Sequence, residues 1–300
     1  MSPSRLNLDL DTIRLEALVW GGSGIPTVIC LHGYPDTAWT WRRVAPLLAE
    51  RGYRVVAPFT RGYAPSAIPP DRDVTVGALV ADVLDVAAFL DAPTTLLVGH
   101  DWGALTSNTI AALRDQPFAA IVSLAVPPLA EMRPTKDTML PMLREFPGQI
   151  RNSWYIAVNQ LPWLPERLLD PIVRRLWRDW SPRLDADEDL EYFARARIRP
   201  ENRQAIVDYY RQMVRPRPKS QRHRELQMLF GAPIRHPILY AYGLEDGCLR
   251  PRLVEHLQKR LPPNSRVTAL SQAGHFLQLD TPKELADAVS TYFADRGAAP

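Results

Sequence analysis

One short stretch limits the architecture more than any other. In Leu96-Leu97-Val98-Gly99-His100-Asp101-Trp102-Gly103-Ala104 a continuous apolar run breaks at a glycine and an alanine-rich helical pattern begins. Such a run suits a strand buried on both faces, as in a parallel sheet covered by helices. Glycines at 99 and 103 allow a tight strand-to-helix turn without a Cβ clash, and Asp101 projects from the bend. A serine there would suit attack on an acyl carbon. A carboxylate is better matched to displacement at a saturated carbon, which leaves an alkyl ester that water must cleave. Gly-x-Asp-x-Gly alone also describes an ordinary turn or helix cap, so the rest of the chain must supply the partners that such chemistry needs.

The surrounding pattern predicts an α/β fold. Leu6, Leu8 and Leu10, then Ile13, Leu15, Ala17 and Val19, alternate with polar residues as two antiparallel edge strands would. Residues 27–31 form a continuous apolar run that reads as a buried central strand and delivers His32-Gly33-Tyr34-Pro35 into a loop. A helix over 37–51, a strand over 53–58, a Gly/Pro-rich loop over 61–73 and a helix over 76–91 precede the elbow, and a strand over 118–124 follows it. This alternation implies a mostly parallel sheet with helices on both faces and functional loops at the carboxyl ends of the strands. From 129 to 225 no strand is recognisable, and prolines accompany amphipathic stretches rich in Arg, Trp and Tyr; this reads as an inserted helical cap that exits through the stiff, solvated Arg215-Pro216-Arg217-Pro218-Lys219. A strand over 237–242, a helix near 251–260, a strand over 266–270 and a helix over 282–294 complete the pattern. The expected division is core 1–128, cap 129–225 and core 226–300.

Composition narrows the function classes. The 300 residues, 46% hydrophobic, can bury a sizeable core. Thirty-six basic against 33 acidic residues leave a charge of only +3 with no long one-sign block, so nucleic acid is not expected as a partner. Cys30 and Cys248 show no metal-site or redox spacing and are expected as reduced thiols. The N-terminus lacks a signal-like apolar region and no apolar stretch reaches about 18 residues, so the expectation is a cytoplasmic protein without membrane association.

If Asp101 is a nucleophile, an acid and then a histidine should follow, each in a loop after a strand. Asp246 follows Leu239-Tyr240-Ala241-Tyr242-Gly243, and His275 follows the next strand, 29 residues later. Either alone could be a turn residue or a structural donor; in this order they reinforce one another. His32-Gly33-Tyr34-Pro35 supplies a candidate oxyanion hole, because backbone N–H groups of Tyr34 and Trp102 could converge beside Asp101. His100 packs beside the elbow, while His223, His236 and His256 show no partner at metal-ligand spacing, so no metal and no cofactor are expected.

With these motifs in place the chain resembles the α/β-hydrolase fold superfamily, in its epoxide hydrolase-like branch. His32-Gly33-Tyr34-Pro35 is similar to the family's H-G-x-P, Gly99-His100-Asp101-Trp102-Gly103 to its aspartate elbow, and Ala273-Gly274-His275-Phe276 to its terminal histidine segment. Ser153-Trp154-Tyr155 with Asn159-Gln160-Leu161-Pro162 resembles the segment bearing a first epoxide-binding tyrosine, and Asp208-Tyr209-Tyr210-Arg211-Gln212-Met213 that bearing a second. The resemblance implies an eight-stranded sheet with an inserted cap. It also implies hydrolysis of a small hydrophobic epoxide by water to a vicinal diol, through an ester on Asp101. Tyr155 and Tyr210 would stabilise the ring oxygen, and His275, oriented by Asp246, would activate water.

Phenols with pKa near 10 stay protonated at neutral pH and can donate to an alkoxide. Adjacent helical residues point about 100° apart, so one of Tyr209 and Tyr210 is expected at the site. Pro35, Trp102, Trp154 and Phe276 are expected as pocket walls, and a homodimer is open. The segment 58–66 departs from the family pattern, with Phe59-Thr60 before Arg61 and Ala64-Pro65 where glycine is usual. The rival readings are a haloalkane or haloacid dehalogenase, which shares the aspartate, acid and histidine, and a binding protein on the same fold without turnover. Tyr34 stands where the haloalkane type has asparagine and Trp102 where the haloacetate type has arginine.

Overall fold

Along the strand Thr27–Leu31, Val28 and Cys30 face one side and Ile29 and Leu31 the other, and all are buried. Double burial demands cover on both faces. The computed structural model, which describes residues 1–300, supplies it. Eight strands, β1 (Ser4–Asp9), β2 (Arg14–Trp20), β3 (Thr27–Leu31), β4 (Arg54–Pro58), β5 (Thr95–His100), β6 (Ala120–Leu124), β7 (Ile238–Gly243) and β8 (Arg266–Leu270), form one sheet in the order β1-β2-β4-β3-β5-β6-β7-β8. The β1–β2 and β2–β4 pairs are antiparallel and the rest parallel. On one face Ile29, Leu31, Val56, Leu97 and Ile121 pack with the helices Val76–Leu90 and Trp102–Ala111. On the other Val28, Cys30, Val55, Leu96 and Val98 pack with Ala45–Glu50 and Pro282–Ala294.

Two expected helices are broken. In place of 37–51 there is a 3₁₀ turn, Ala38–Arg42, capped by the Thr37 hydroxyl, and then a short helix, Ala45–Glu50. Pro46 has no N–H to continue the earlier turn. Near 251–260 two 3₁₀ turns, Pro251–Leu253 and Leu257–Lys259, replace the helix. Neither has a side-chain cap, and so short a segment does not sustain an α-helix unaided.

Between β6 and β7 every element is helical, the main ones being Met139–Asn152, Trp154–Val158, Leu169–Trp180, Asp187–Ala196, Pro200–Val214 and Gln221–Gln227. His223 is held by a carboxylate: its Nδ1 donates to Asp73 Oδ2 at 2.8 Å, and Lys219 N donates to the same oxygen at 2.7 Å. The partner lies 150 residues away in sequence, which local spacing cannot reveal. Helix Met139–Asn152 has inverted sidedness. Its inward face carries Glu145, ion-paired to Arg250 and Arg252, and Gln149, bonded to the 248–250 loop. Its outward face carries Met139, Leu143, Phe146 and Ile150, each 44–59% exposed. No helix is long and apolar enough to cross a membrane.

Candidate active site

The chain leaves β3 toward β4 on one side and later returns to β5 on the other, so a crevice opens at the carboxyl ends of β3 and β5. Asp101 stands at that point, 5% exposed, with φ 52° and ψ −109°. Such a positive φ is strained for aspartate. Turn and helix hold it: Leu105 N donates to Asp101 O at 2.9 Å, and a Cβ at Gly99 or Gly103 would collide with the Gly103 or Leu31 carbonyl respectively. Across the crevice Tyr34 N donates to Asp101 Oδ1 at 2.8 Å. Trp102 N opens the helix beyond Asp101, but the Asp101 side chain accepts no hydrogen bond there. His32 buttresses the Tyr34 loop, bonded at Nδ1 to Gly33 O (2.9 Å) and accepting from Thr60 N at Nε2 (3.1 Å). Burial lowers its pKa to about 4, so it is neutral.

His275 is fully buried, its Nδ1 donating to Asp246 Oδ2 at 3.0 Å and its Nε2 turned to Asp101 Oδ2 at 3.7 Å. Burial opposes its charge, but the carboxylates of Asp246 and Asp101 outweigh that and raise its pKa to about 10. Asp246 is held from behind by the N–H groups of Cys248 (2.6 Å) and Leu249 (3.0 Å) on Oδ1. The cap contributes directly. The Trp180 carbonyl accepts from His275 N (2.9 Å) and Gly247 N (3.3 Å), and the Trp180 ring packs edge-on against the imidazole at 4.7 Å. Ser181 Oγ donates to Asp280 Oδ2 (2.8 Å) and accepts from Phe276 N (3.1 Å), while Gly274 N donates to the same Asp280 oxygen (2.9 Å). His100 Nε2 donates to His275 O at 3.0 Å, and burial first, then the neighbouring histidines, holds it well below the ordinary imidazole range.

Opposite Asp101 the cap lowers Tyr155 and Tyr210, both buried, with ring centroids 5.4 Å apart and edge-on to each other. Tyr34 lies 5.0 Å from Tyr210, Trp102 5.2 Å from Tyr210 and Trp180 5.1 Å from Tyr155, which closes an aromatic enclosure. Burial first, then the neighbouring Cys248 thiol for Tyr155 and the Tyr155 phenol for Tyr210, and in both cases the Asp101 carboxylate, raise both phenols well above the ordinary phenol range. The Tyr155 hydroxyl is 3.6 Å from Cys248 Sγ. Tyr209 points away: its hydroxyl donates to Arg61 O at 2.8 Å.

The three other expected pocket walls lie beside the site, the Phe276 ring 5.4 Å from that of His275 and the Trp154 ring 6.4 Å from that of Tyr155. Phe276 is fully buried, stacked on Trp177 at 3.7 Å. Pro35 accepts from Trp177 Nε1 at 3.0 Å through its carbonyl. Trp154 is half-buried with the Arg175 guanidinium 4.9 Å above its ring. Trp180, Ser181, Asp280 and Cys248 join the site with no local signal. Asp246, Cys248 and His275 also lie close enough together to ligate an ion, but the carboxylate and the imidazole already bond each other.

Sheet order, strained aspartate elbow and a histidine-acid pair on the last two strand ends define a class. The alpha/beta hydrolase fold family model matches residues 26–282, and the chain belongs to that family. Within it the chain is similar to AB hydrolase superfamily protein YfhM of Bacillus subtilis, 25% identical with 90% of this chain and 91% of that one covered. It is 28% identical to the epoxide hydrolase of Caballeronia sordidicola, over 89% and 86% of the two chains. Epoxide hydrolase A of Mycobacterium thermoresistibile superimposes with a TM-score of 0.74 at 26% identity, covering 98% of each chain.

Proposed function

We propose that the protein is an epoxide hydrolase. The observation that carries the reading is the pair of buried, protonated phenols, Tyr155 and Tyr210, packed together within reach of the Asp101 charge. Two relatives bearing the epoxide hydrolase name support it. Asp101 Oδ1 is held by Tyr34 N, which leaves Oδ2 as the attacking atom. It bonds to a ring carbon, the carbon–oxygen bond breaks, and the departing oxygen takes a proton from a lid phenol.

Esterification removes the Asp101 charge, one of the two that hold the His275 proton. The imidazolium then returns that proton to the phenolate and becomes a base. Water loses a proton to His275 Nε2 and adds to the ester carbonyl. The oxyanion is held by Tyr34 N–H, joined by Trp102 N–H, and collapse releases the diol and restores the carboxylate. Asp246 orients the imidazole.

The test is diol formation from aryl and alkyl epoxides beside halide release from haloalkanes. Wild type should form diol, and Asp101→Ala should lose it by a factor of about 10⁴ or more. Halide without diol would make the protein a dehalogenase. Ligand binding with neither product would make it a binding protein.

The proposal includes the anatomy of core 1–128, cap 129–225 and core 226–300, and a cytoplasmic location, which the free, buried Cys30 and Cys248 support. It also includes a homodimer through helix Met139–Asn152. The outward Met139, Leu143, Phe146 and Ile150 recur at intervals of four, three and four, the spacing of a helix-pairing seam. An antiparallel copy in apolar register sets exposed Asp137 of each protomer beside exposed Arg151 of its partner.

A further inference from the structure

Against the aromatic enclosure the Tyr34 hydroxyl and both the nitrogen and the oxygen of the Asn159 amide have no partner other than each other. Both residues are fully buried. They lie together, the amide beside the hydroxyl, without closing a hydrogen bond of good geometry. Asn159 follows Tyr155 by one helical turn, its N–H bonded to the Tyr155 carbonyl at 2.9 Å, so the two side chains share a face of the cap. The Tyr34 ring is stacked 6.5 Å from Tyr155 and stands edge-on 5.0 Å from Tyr210. Buried polar atoms are almost always paired, and an unpaired set beside the reacting groups asks what pairs it.

We propose that the Tyr34 hydroxyl and the Asn159 amide form a polar subsite for a hydroxyl or carbonyl oxygen carried by the substrate next to its epoxide ring. The inference rests on the epoxide reading above. The amide nitrogen and the phenol donate to the substrate oxygen, and the amide oxygen accepts a hydroxyl proton when there is one. An alkyl group in the same place leaves all three atoms desolvated and unpaired. Selectivity therefore comes from rejecting the alkyl analogue as much as from holding the oxygenated one.

The test compares 3-phenylglycidol with β-ethylstyrene oxide, which differ by hydroxyl against methyl. Wild-type kcat/KM should favour the hydroxyl compound roughly 10- to 100-fold. Asn159→Leu should bring that ratio close to one while keeping or raising Tm, and Tyr34→Phe should reduce it in part. No preference in wild type overturns the subsite. So does an undiminished preference in Asn159→Leu with a lower Tm, which makes Asn159 a packing residue. If neither epoxide is hydrolysed the epoxide reading fails, and thermal-shift binding of the corresponding triol against the diol lacking its third hydroxyl decides the subsite separately. Tighter triol binding that Asn159→Leu abolishes supports it, and equal binding overturns it.

Discussion

His275 sits between two carboxylates, one fixed by its surroundings and one that the proposed reaction neutralises. Asp246 bonds Nδ1 at 3.0 Å throughout, while Asp101 faces Nε2 at 3.7 Å only as a free carboxylate. Asp101→Asn imitates the neutral ester, so it should lower the His275 pKa from about 10 by a unit or more, read by imidazole NMR. An unchanged value would remove the switch from acid to base. The same shift sets a stability profile. A pKa raised from 6.5 to about 10 means that folding favours the imidazolium, so this stabilisation is whole below pH 6.5, declines as pH rises and is gone above about 10. Asp246→Asn should flatten that slope in denaturation series.

Helix Pro200–Val214 turns one of two neighbouring tyrosines, Tyr210, into the aromatic enclosure and the other, Tyr209, onto the Arg61 carbonyl. Tyr209→Phe breaks the bond to Arg61 O and should cost about 1 kcal/mol while leaving kcat near wild type. Tyr210→Phe should do the reverse, lowering kcat roughly 100-fold with little change in Tm. Equal effects would mean that both tyrosines only line the pocket. Here the limits of sequence are clear. The 100° turn between adjacent helical residues says that one of the pair faces the site; which one depends on where Arg61 lies. Strand alternation made the sheet legible, and the strand ends made Asp101, Asp246 and His275 legible, because fold topology assigns such loops to one edge. Pro46 and the missing caps broke two expected helices through local chemistry that the apolar period does not register. Trp180 enters the site through cap packing and has no sequence mark.

At the scale of the whole molecule the outward apolar stripe of Met139–Asn152 is the feature that a single chain leaves unexplained. If two copies pair through it, Phe146→Glu should convert a dimer into a monomer in light scattering. Asp137→Arg and Arg151→Asp should each weaken the dimer and together restore it. A wild-type monomer at all concentrations would remove the pairing. Motion of the cap is constrained elsewhere. The Trp180 carbonyl is bonded to His275 N and Gly247 N, and Ser181 and Asp280 tie the same corner together. Swinging the cap away there would pull the base and its acid out of line.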